Sequence, residues 1–141
     1  MNEGFKNIFE EMEILNENLG LSLGSKAASF LKKLVKDEMG IKNPKVINGY
    51  KFKVPGKKIE RRIDVISIEP RIIMGTECVL CEKKGIKKLE KLVETRADLE
   101  KDGIPCLRTY IVYNDIDSRI EQKCEAFMKE NNIIPLDSYE L

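Results

Sequence analysis

The sequence predicts an α/β fold in which helices flank a mixed β-sheet. Four segments place apolar residues at spacings of three and four, which is the period of an amphipathic helix. Between them lie short runs rich in Val and Ile that are bounded by turn-forming Pro, Gly and Asp, as is typical of strands. The 141 residues suffice for one core of three layers but not for two independent cores.

Residues 4–19 form the first predicted helix. Its apolar stripe consists of Phe5, Ile8, Phe9, Met12, Leu15 and Leu19. We assign residues 1–20 to this helix and residues 21–141 to a single domain. The stripe needs a partner surface, which is either a second copy of the chain in a homodimer or the helix's own domain.

A second helix and an antiparallel meander follow. Ser25 is a favourable N-cap for a helix that runs to about Glu38. The turn at Pro55-Gly56 and the reversal at Glu69-Pro70 separate runs with strand composition. These strands are expected at residues 45–47, 50–54, 59–68 and 72–80.

Helices and strands alternate over the rest of the chain. Residues 85–101 form an amphipathic helix that Asp102-Gly103 ends, and the near-continuous apolar run at residues 107–113 predicts a strand buried on both faces. Cap residues at 114–118 introduce a last helix, and residues 133–136 form a last strand. This β-α-β unit should be a right-handed crossover with parallel strands.

Composition excludes several classes of protein. Apolar residues make up 42% and charged residues 35%, and no apolar run approaches the roughly 18 residues of a membrane-spanning helix. The polar N-terminus lacks the pattern of a secretory signal, so we expect a soluble, cytoplasmic protein. Abundant Lys and Glu, with neither His nor Trp, resemble the composition of thermophile proteins.

Basic residues are concentrated in two stretches although the net charge is only +1. The first comprises Lys51, Lys53, Lys57, Lys58, Arg61 and Arg62, and the second comprises Lys83, Lys84, Lys87, Lys88 and Lys91. The first stretch, together with Lys83, Lys87 and Lys88 of the second, predicts a track for the phosphate backbone of a nucleic acid, which lysines would contact without reading sequence. The alternative is that the first stretch is a solvated hairpin.

The four cysteines include a close pair, Cys78 and Cys81. Such spacing occurs in zinc and redox sites, but structural zinc normally needs a second close pair, and the chain has no His to complete the site. Burial of these cysteines in the core is the simpler interpretation.

Asp64 and Glu77 interrupt strongly apolar strands on either side of the reversal. With the reversal centred near Pro70, Thr76 is the expected cross-strand neighbour of Asp64, and Glu77 lies one position beyond it. Both carboxylates could then reach one cation. Alternatively, each acid forms an ion pair with Arg61, Arg62 or a lysine.

This order of elements, with one acid on each hairpin strand, resembles the PD-(D/E)xK nuclease superfamily over about residues 21–137. The chain is similar to uncharacterised archaeal members with an amphipathic helix ahead of the core and, more distantly, to archaeal Holliday-junction resolvases. The resemblance implies a restriction-endonuclease-like three-layer core. It also implies DNA, double-stranded or branched, as the partner.

Asp64 then matches the metal-binding aspartate of the motif, and Glu77 matches its second acid. The resemblance implies that both hold Mg²⁺, or Mn²⁺ in its place, for phosphodiester hydrolysis. Val79 occupies the position of the motif lysine, and Ala27 occupies that of a helical glutamate. We therefore expect a lysine from the loop and first turn of the next helix to replace the missing one: Lys84 or, in its place, Lys83, Lys87 or Lys88.

A literal Glu-x-Lys occurs at Glu82-Lys83-Lys84. Glu82 lies about 20 Å along an extended strand from the position opposite Asp64, at roughly 3.3 Å per residue, which is too far to share a metal. Three functions follow from the sequence: a metal-dependent endonuclease, a catalytically inactive relative that binds nucleic acid or serves as a dimeric scaffold, and a zinc or redox protein built on the cysteine pair.

Overall fold

A five-stranded mixed sheet separates two layers of helices. The structure, a computed structural model, describes residues 23–141, so the predicted N-terminal helix lies outside the described residues. The elements are helix α1 (residues 23–39), strand β1 (Val46–Lys53), strand β2 (Glu60–Ser67), strand β3 (Ile72–Leu80), helix α2 (Gly85–Leu99), strand β4 (Arg108–Ile116), helix α3 (Glu121–Glu130) and strand β5 (Ile134–Asp137). Short 3₁₀ turns cover Glu100–Asp102 and Ser138–Glu140. The predicted α/β class and mixed sheet are confirmed.

The strands lie in the sheet in the order in which they occur in the sequence. Strand β2 pairs antiparallel with both β1 and β3, whereas β4 pairs parallel with both β3 and β5. Connections between the parallel strands need a crossover, which α2 and α3 provide. The last β-α-β unit has the predicted parallel strands, and it is joined to an antiparallel meander in one mixed sheet as expected.

Two local predictions were wrong. The runs at residues 45–47 and 50–54 belong to one strand, β1, rather than to two, so the meander contains three strands and not four. Ser25 is not an N-cap, because residues 23 and 24 are already helical. By contrast, α2 ends close to the predicted stop, where Gly103 adopts a φ of +87° that favours glycine.

Each face of the sheet has its own hydrophobic core. On one face α1 contributes Leu31 and Val35, which pack against Met74 and Val112 of the sheet. The other face is covered by α2 and α3, whose core includes Leu89. Residues on one strand alternate between the two cores, so the sheet is buried on both sides at its centre.

The described part of the chain contains no helix with the length and apolar character needed to cross a bilayer.

Replacement of Leu89 by Ala tests the α2 core. Leu89 is 0% exposed, and the shortened side chain should cost about 2 to 5 kcal/mol of unfolding free energy because it leaves a cavity. The same change at Leu107, which is 59% exposed, should cost less than about 0.5 kcal/mol. Urea denaturation measures both values, and equal costs would contradict the assignment of Leu89 to the core.

The ion pair between Arg71 and Asp102 should make stability depend on acid pH. The guanidinium donates to both carboxylate oxygens at 2.9 and 2.7 Å and lowers the pKa of Asp102 from 3.8 to about 2. Since the folded state holds the proton less tightly than the unfolded state, this contribution is present above pH 4 and is lost as the pH falls toward 2.

Thermal unfolding at pH values from 6 to 2 measures the effect. We expect Asp102→Asn to remove part of the loss of stability between pH 4 and pH 2. Identical profiles for the Asp102 variant and the parent chain would contradict the prediction.

Candidate functional site

The pairing of β2 with β3 ends next to Asp64. Val65 and Met74 are the last partners in this ladder. One further step of the same register would place Asp64 opposite Gly75, whereas the sequence led us to expect Thr76. The shift of one residue moves Glu77 to two positions beyond the level of Asp64.

The neighbouring strand β1 is irregular at the same level. Ile47 and Tyr50 are three residues apart and both pack on the α2 core, although strict alternation would place them on opposite faces. The switch occurs at Gly49, whose φ of +66° lies in the left-handed region that glycine tolerates. A Cβ at Gly49 would lie 3.2 Å from Nη2 of Arg62, so the glycine also makes room for this side chain beside Asp64.

The carboxylate of Asp64 occupies the place where the ladder opens. Its Oδ2 accepts a hydrogen bond from the backbone N–H of Thr76 at 2.8 Å. The Asp64 side chain therefore supplies the acceptor for a backbone donor that lies beyond the last β2–β3 pair. The same oxygen lies 3.3 Å from Nζ of Lys88, and Oδ1 accepts from Nη1 of Arg62 at 2.8 Å. The side chain of Asp64 is only 17% exposed, and these partners offset the cost of burying its charge.

A cleft of about 200 Å³ opens between β2, β3 and α2 at this position. It is lined by Arg62, Ile63, Asp64, Gly75, Lys88, Lys91, Leu92 and Thr95. Three of these residues are cationic and one is anionic, which leaves an excess of two positive charges. We call this feature the Asp64 cleft.

Gly75 forms the floor of the Asp64 cleft. A Cβ at this position would lie 3.2 Å from Cδ1 of Ile111 and 3.3 Å from Cδ2 of Leu92. Both distances are tighter than ordinary van der Waals contact, so glycine lets α2 pack close to β3. The close approach of α2 brings Lys88 within reach of Asp64.

Glu77 does not line the Asp64 cleft. It lies on β3 opposite Tyr113 of β4 and is partly buried. The ion pairs that Asp64 forms with Arg62 and Lys88 have no counterpart at Glu77 among the described residues. The structure therefore brings the first predicted acid into the cleft but not the second.

The lysine that reaches Asp64 is Lys88, one helical turn beyond Lys84. Lys84 is the exposed residue that precedes α2, and it does not line the Asp64 cleft. Lys83 and Lys87 are likewise exposed. Val79, at the motif's lysine position, is 47% exposed near the end of β3.

Glu82 of the literal Glu-x-Lys sequence lies away from Asp64. Its carboxylate pairs with Arg119 at 2.8 Å in the turn that follows β3. Arg119 also pairs with Asp117 at 2.7 Å, and this contact lowers the pKa of Asp117 to about 2. Glu82 thus belongs to a surface ion-pair network just beyond the C-terminal end of β3.

The donor set of the Asp64 cleft does not fit a magnesium ion. Mg²⁺ takes oxygen ligands, usually from carboxylates, but both oxygens of Asp64 already accept hydrogen bonds. Over residues 23–141 there is no group of three or more His, Cys, Asp or Glu side chains placed to hold a metal ion. Magnesium binding therefore stays a prediction of the resemblance, and we derive no chemical step from it.

The side chains of the first basic stretch differ in whether they form ion pairs within the protein. Arg61 pairs with Asp98 at 3.1 Å and lies 3.9 Å from Glu94, so its charge is offset within the protein. Lys101 and, more weakly, Arg61 lower the pKa of Asp98. Arg62 pairs with Asp64, and the other four residues of the stretch are exposed lysines: Lys51, Lys53, Lys57 and Lys58.

Two other positions of interest pack in the core of the α1 face. Ala27, which replaces the helical glutamate, is 0% exposed in the core beneath α1. Cys78 packs against the same core, and Cys81 is partly buried just after β3. Both cysteines are free thiols.

Sequence reasoning missed three residues that shape the site: Thr76 as a hydrogen-bond donor, Lys91 as a residue of the cleft lining, and Thr95 on the wall. Lys88, Lys91 and Thr95 recur at spacings of three and four along α2, so they lie on one face of that helix. This helical spacing could have been recognised in the sequence. No sequence pattern predicts the hydrogen bond from Thr76, because that bond depends on where the pairing of β2 with β3 ends.

Comparison with known proteins yields a structural likeness but no family. No family model matches the chain, and no curated protein matches it. A crystal structure described as a protein of unknown function, AF1548, is similar, with a TM-score of 0.51 and 16% sequence identity. The likeness covers 78% of this chain but only 55% of that one, and at this identity it shows a shared fold alone.

The ion pair between Asp64 and Lys88 can be measured by a double-mutant cycle. Asp64→Asn and Lys88→Met should couple by about 1 kcal/mol in unfolding free energy, because the two charged groups are in contact and mostly shielded from solvent. Asp64→Asn with Lys91→Met is the matched control and should show no coupling. Equal coupling in both cycles would mean that Lys88 has no specific contact with Asp64.

Proposed function

We propose that this chain binds nucleic acid through the phosphate backbone, with the Asp64 cleft at the centre of the contact surface. The observation that carries the proposal is the convergence of Arg62, Lys88 and Lys91 on one cleft from two different elements, β2 and α2. Only Asp64 opposes their charge in the lining. A surplus of positive charge in a concave site favours an anionic ligand.

The surroundings of the Asp64 cleft extend the positive surface. Lys51 lies opposite Arg62 in the β1–β2 ladder, and Lys53 lies further along the same strand. Lys87 is exposed on α2 beside Lys88. Such a distribution suits a polyanion that spans several sites better than a small anion held at one.

The size of the cleft also supports contact with phosphate groups. Its volume of about 200 Å³ is below the range of roughly 300 to 1,000 Å³ that is typical of pockets for larger organic ligands. Lysine and arginine contacts of this kind position a protein on the backbone without reading the bases. We therefore propose binding without sequence specificity, with DNA as the expected partner.

The ancestry that we propose is the PD-(D/E)xK nuclease superfamily. The support is the resemblance in element order and the position of Asp64 at the opening of the β2–β3 ladder. In this proposal the chain retains the first acid of the motif, Asp64, whose carboxylate accepts hydrogen bonds from Arg62, Thr76 and Lys88. A cytoplasmic location stays a prediction from the sequence.

Phosphodiester hydrolysis is the second candidate function, and one observation favours it. Nζ of Lys88 lies 3.3 Å from Oδ2 of Asp64, so a lysine does stand beside the first acid although Val79 cannot supply one. The position of Glu77 outside the cleft and the donor set around Asp64 favour binding over hydrolysis.

Fluorescence anisotropy with labelled duplex, single-stranded and four-way-junction DNA tests the proposal. The variant with both Arg62→Gln and Lys91→Gln removes two cleft charges and leaves the Asp64–Lys88 pair in place. We expect weaker binding and a smaller slope of log affinity against log salt, reduced by about one for each lost phosphate contact.

The matched control removes two exposed lysines from α3, with Lys123→Gln and Lys129→Gln. It changes the net charge by the same amount and should leave both affinity and slope nearly unchanged. Equal losses in the two double variants would contradict a role for the cleft. Cleavage in Mg²⁺ or Mn²⁺ that Asp64→Asn and Lys88→Met abolish, but Lys91→Met does not, would establish hydrolysis instead.

A further inference from the structure

Two aromatic residues lie beside the Asp64 cleft on an outer strand of the sheet. Tyr50 and Phe52 are two positions apart on β1, so they share a face of that strand, and both pack against the α2 core. Neither residue is fully buried. Their rings are nearly parallel, with 21° between the ring planes and 6.3 Å between the ring centroids. We call these two residues the β1 aromatic pair.

The β1 aromatic pair is next to a cationic side chain of the cleft. In the β1–β2 ladder Tyr50 lies opposite Ile63, which lines the cleft. The guanidinium of Arg62 lies beside Gly49, the residue before Tyr50, since a Cβ there would be 3.2 Å from Nη2. A phosphate group bound at Arg62 is therefore within one residue of Tyr50 along β1.

The strand that carries the pair is basic and has a free edge. Among residues 23–141 no further strand pairs with the outer side of β1. Exposed Lys51 and Lys53 alternate with the aromatic residues and so lie on the other face of the strand. Proteins that bind single-stranded nucleic acid combine cationic side chains along the backbone with aromatic rings on which bases stack. The edge at β1 offers both kinds of contact.

The spacing of the two rings favours bases that have left a duplex. Within a duplex each base is covered by neighbours that lie about 3.4 Å away along the helix axis. The ring centroids are 6.3 Å apart, which is nearly twice that rise, so bases reach both rings only after they have separated from one another. A single strand permits this separation, whereas a duplex would first have to open.

We infer that the β1 aromatic pair gives the Asp64 cleft a preference for unpaired strands. Bases stack on Tyr50 and Phe52 while the phosphates of the same strand contact Arg62 and Lys91. This inference rests on the proposed function, because the phosphate contacts at the cleft hold the strand beside the rings. A duplex makes the phosphate contacts alone. Since every base has an aromatic face, stacking adds affinity without sequence specificity.

Fluorescence anisotropy with an oligothymidine of about 12 nucleotides and a duplex of equal length, at one salt concentration, tests the preference. The parent chain should bind the single strand more tightly. Tyr50→Leu with Phe52→Leu should weaken single-strand binding by about tenfold or more, because base stacking is lost. The affinity of this variant for the duplex should be nearly unchanged. Tyr139→Leu, at a residue that is 79% exposed beyond the other outer strand, is the control and should change neither affinity.

The outcomes separate this inference from the proposed function. A single strand that binds no better than the duplex, or a single-strand affinity that the double variant retains, would overturn the preference and leave the phosphate contacts standing. If the parent chain bound neither ligand, the proposed function itself would be wrong.

A tryptophan at position 50 reports on stacking while an aromatic ring stays in place. Because the sequence contains no Trp, the Tyr50→Trp side chain is the sole indole. We expect its emission to be quenched when oligothymidine saturates the protein and to change little at saturation with the duplex. Tyr139→Trp is the matched control and should be quenched by neither. Equal quenching by both ligands at position 50, or none with the single strand, would overturn the inference.

Discussion

The partly buried carboxyl group of Asp64 constrains the structure around it. A polar side chain that is only 17% exposed needs hydrogen-bond partners, and it finds them in the Thr76 amide, the Arg62 guanidinium and the Lys88 ammonium. The Thr76 amide is free for this contact because β2 and β3 separate beyond Val65. The opening of the ladder and the burial of the acid therefore depend on each other.

Several sequence features are consistent with this constraint. Gly49 lies at the same level of β1 and makes room for Arg62. Gly75 lets α2 approach β3, which brings Lys88 to the acid. Since the core under α1 lies on the other face of the sheet, the cleft can vary without disturbing that core. These relations explain why a concave, cationic surface forms where the antiparallel part of the sheet meets α2.

Much of the fold was readable from the sequence because periodicity encodes it. The strands around Glu69-Pro70, the helix ended by Gly103 and the parallel β-α-β unit all follow from local pattern. The site was less readable because it depends on register. The register differs by one residue from the expected one, so that Gly75 and not Thr76 lies at the level of Asp64. The lysine that contacts Asp64 is Lys88, one turn of α2 beyond the predicted Lys84. The sequence periods of strands and helices, two and 3.6 residues, do not determine strand register to one residue or the helical turn from which a side chain reaches the site.

Binding of a polyanion at the Asp64 cleft can be observed directly by NMR during a titration of ¹⁵N-labelled protein with a short DNA duplex. The amide of Thr76 is the best reporter because it donates to Asp64. We expect the amide signals of Thr76, Gly49 and Lys91 to shift first and most, while those of α3 remain in place. Shifts confined to α3 or β5, or no shift at a saturating concentration of DNA, would contradict it.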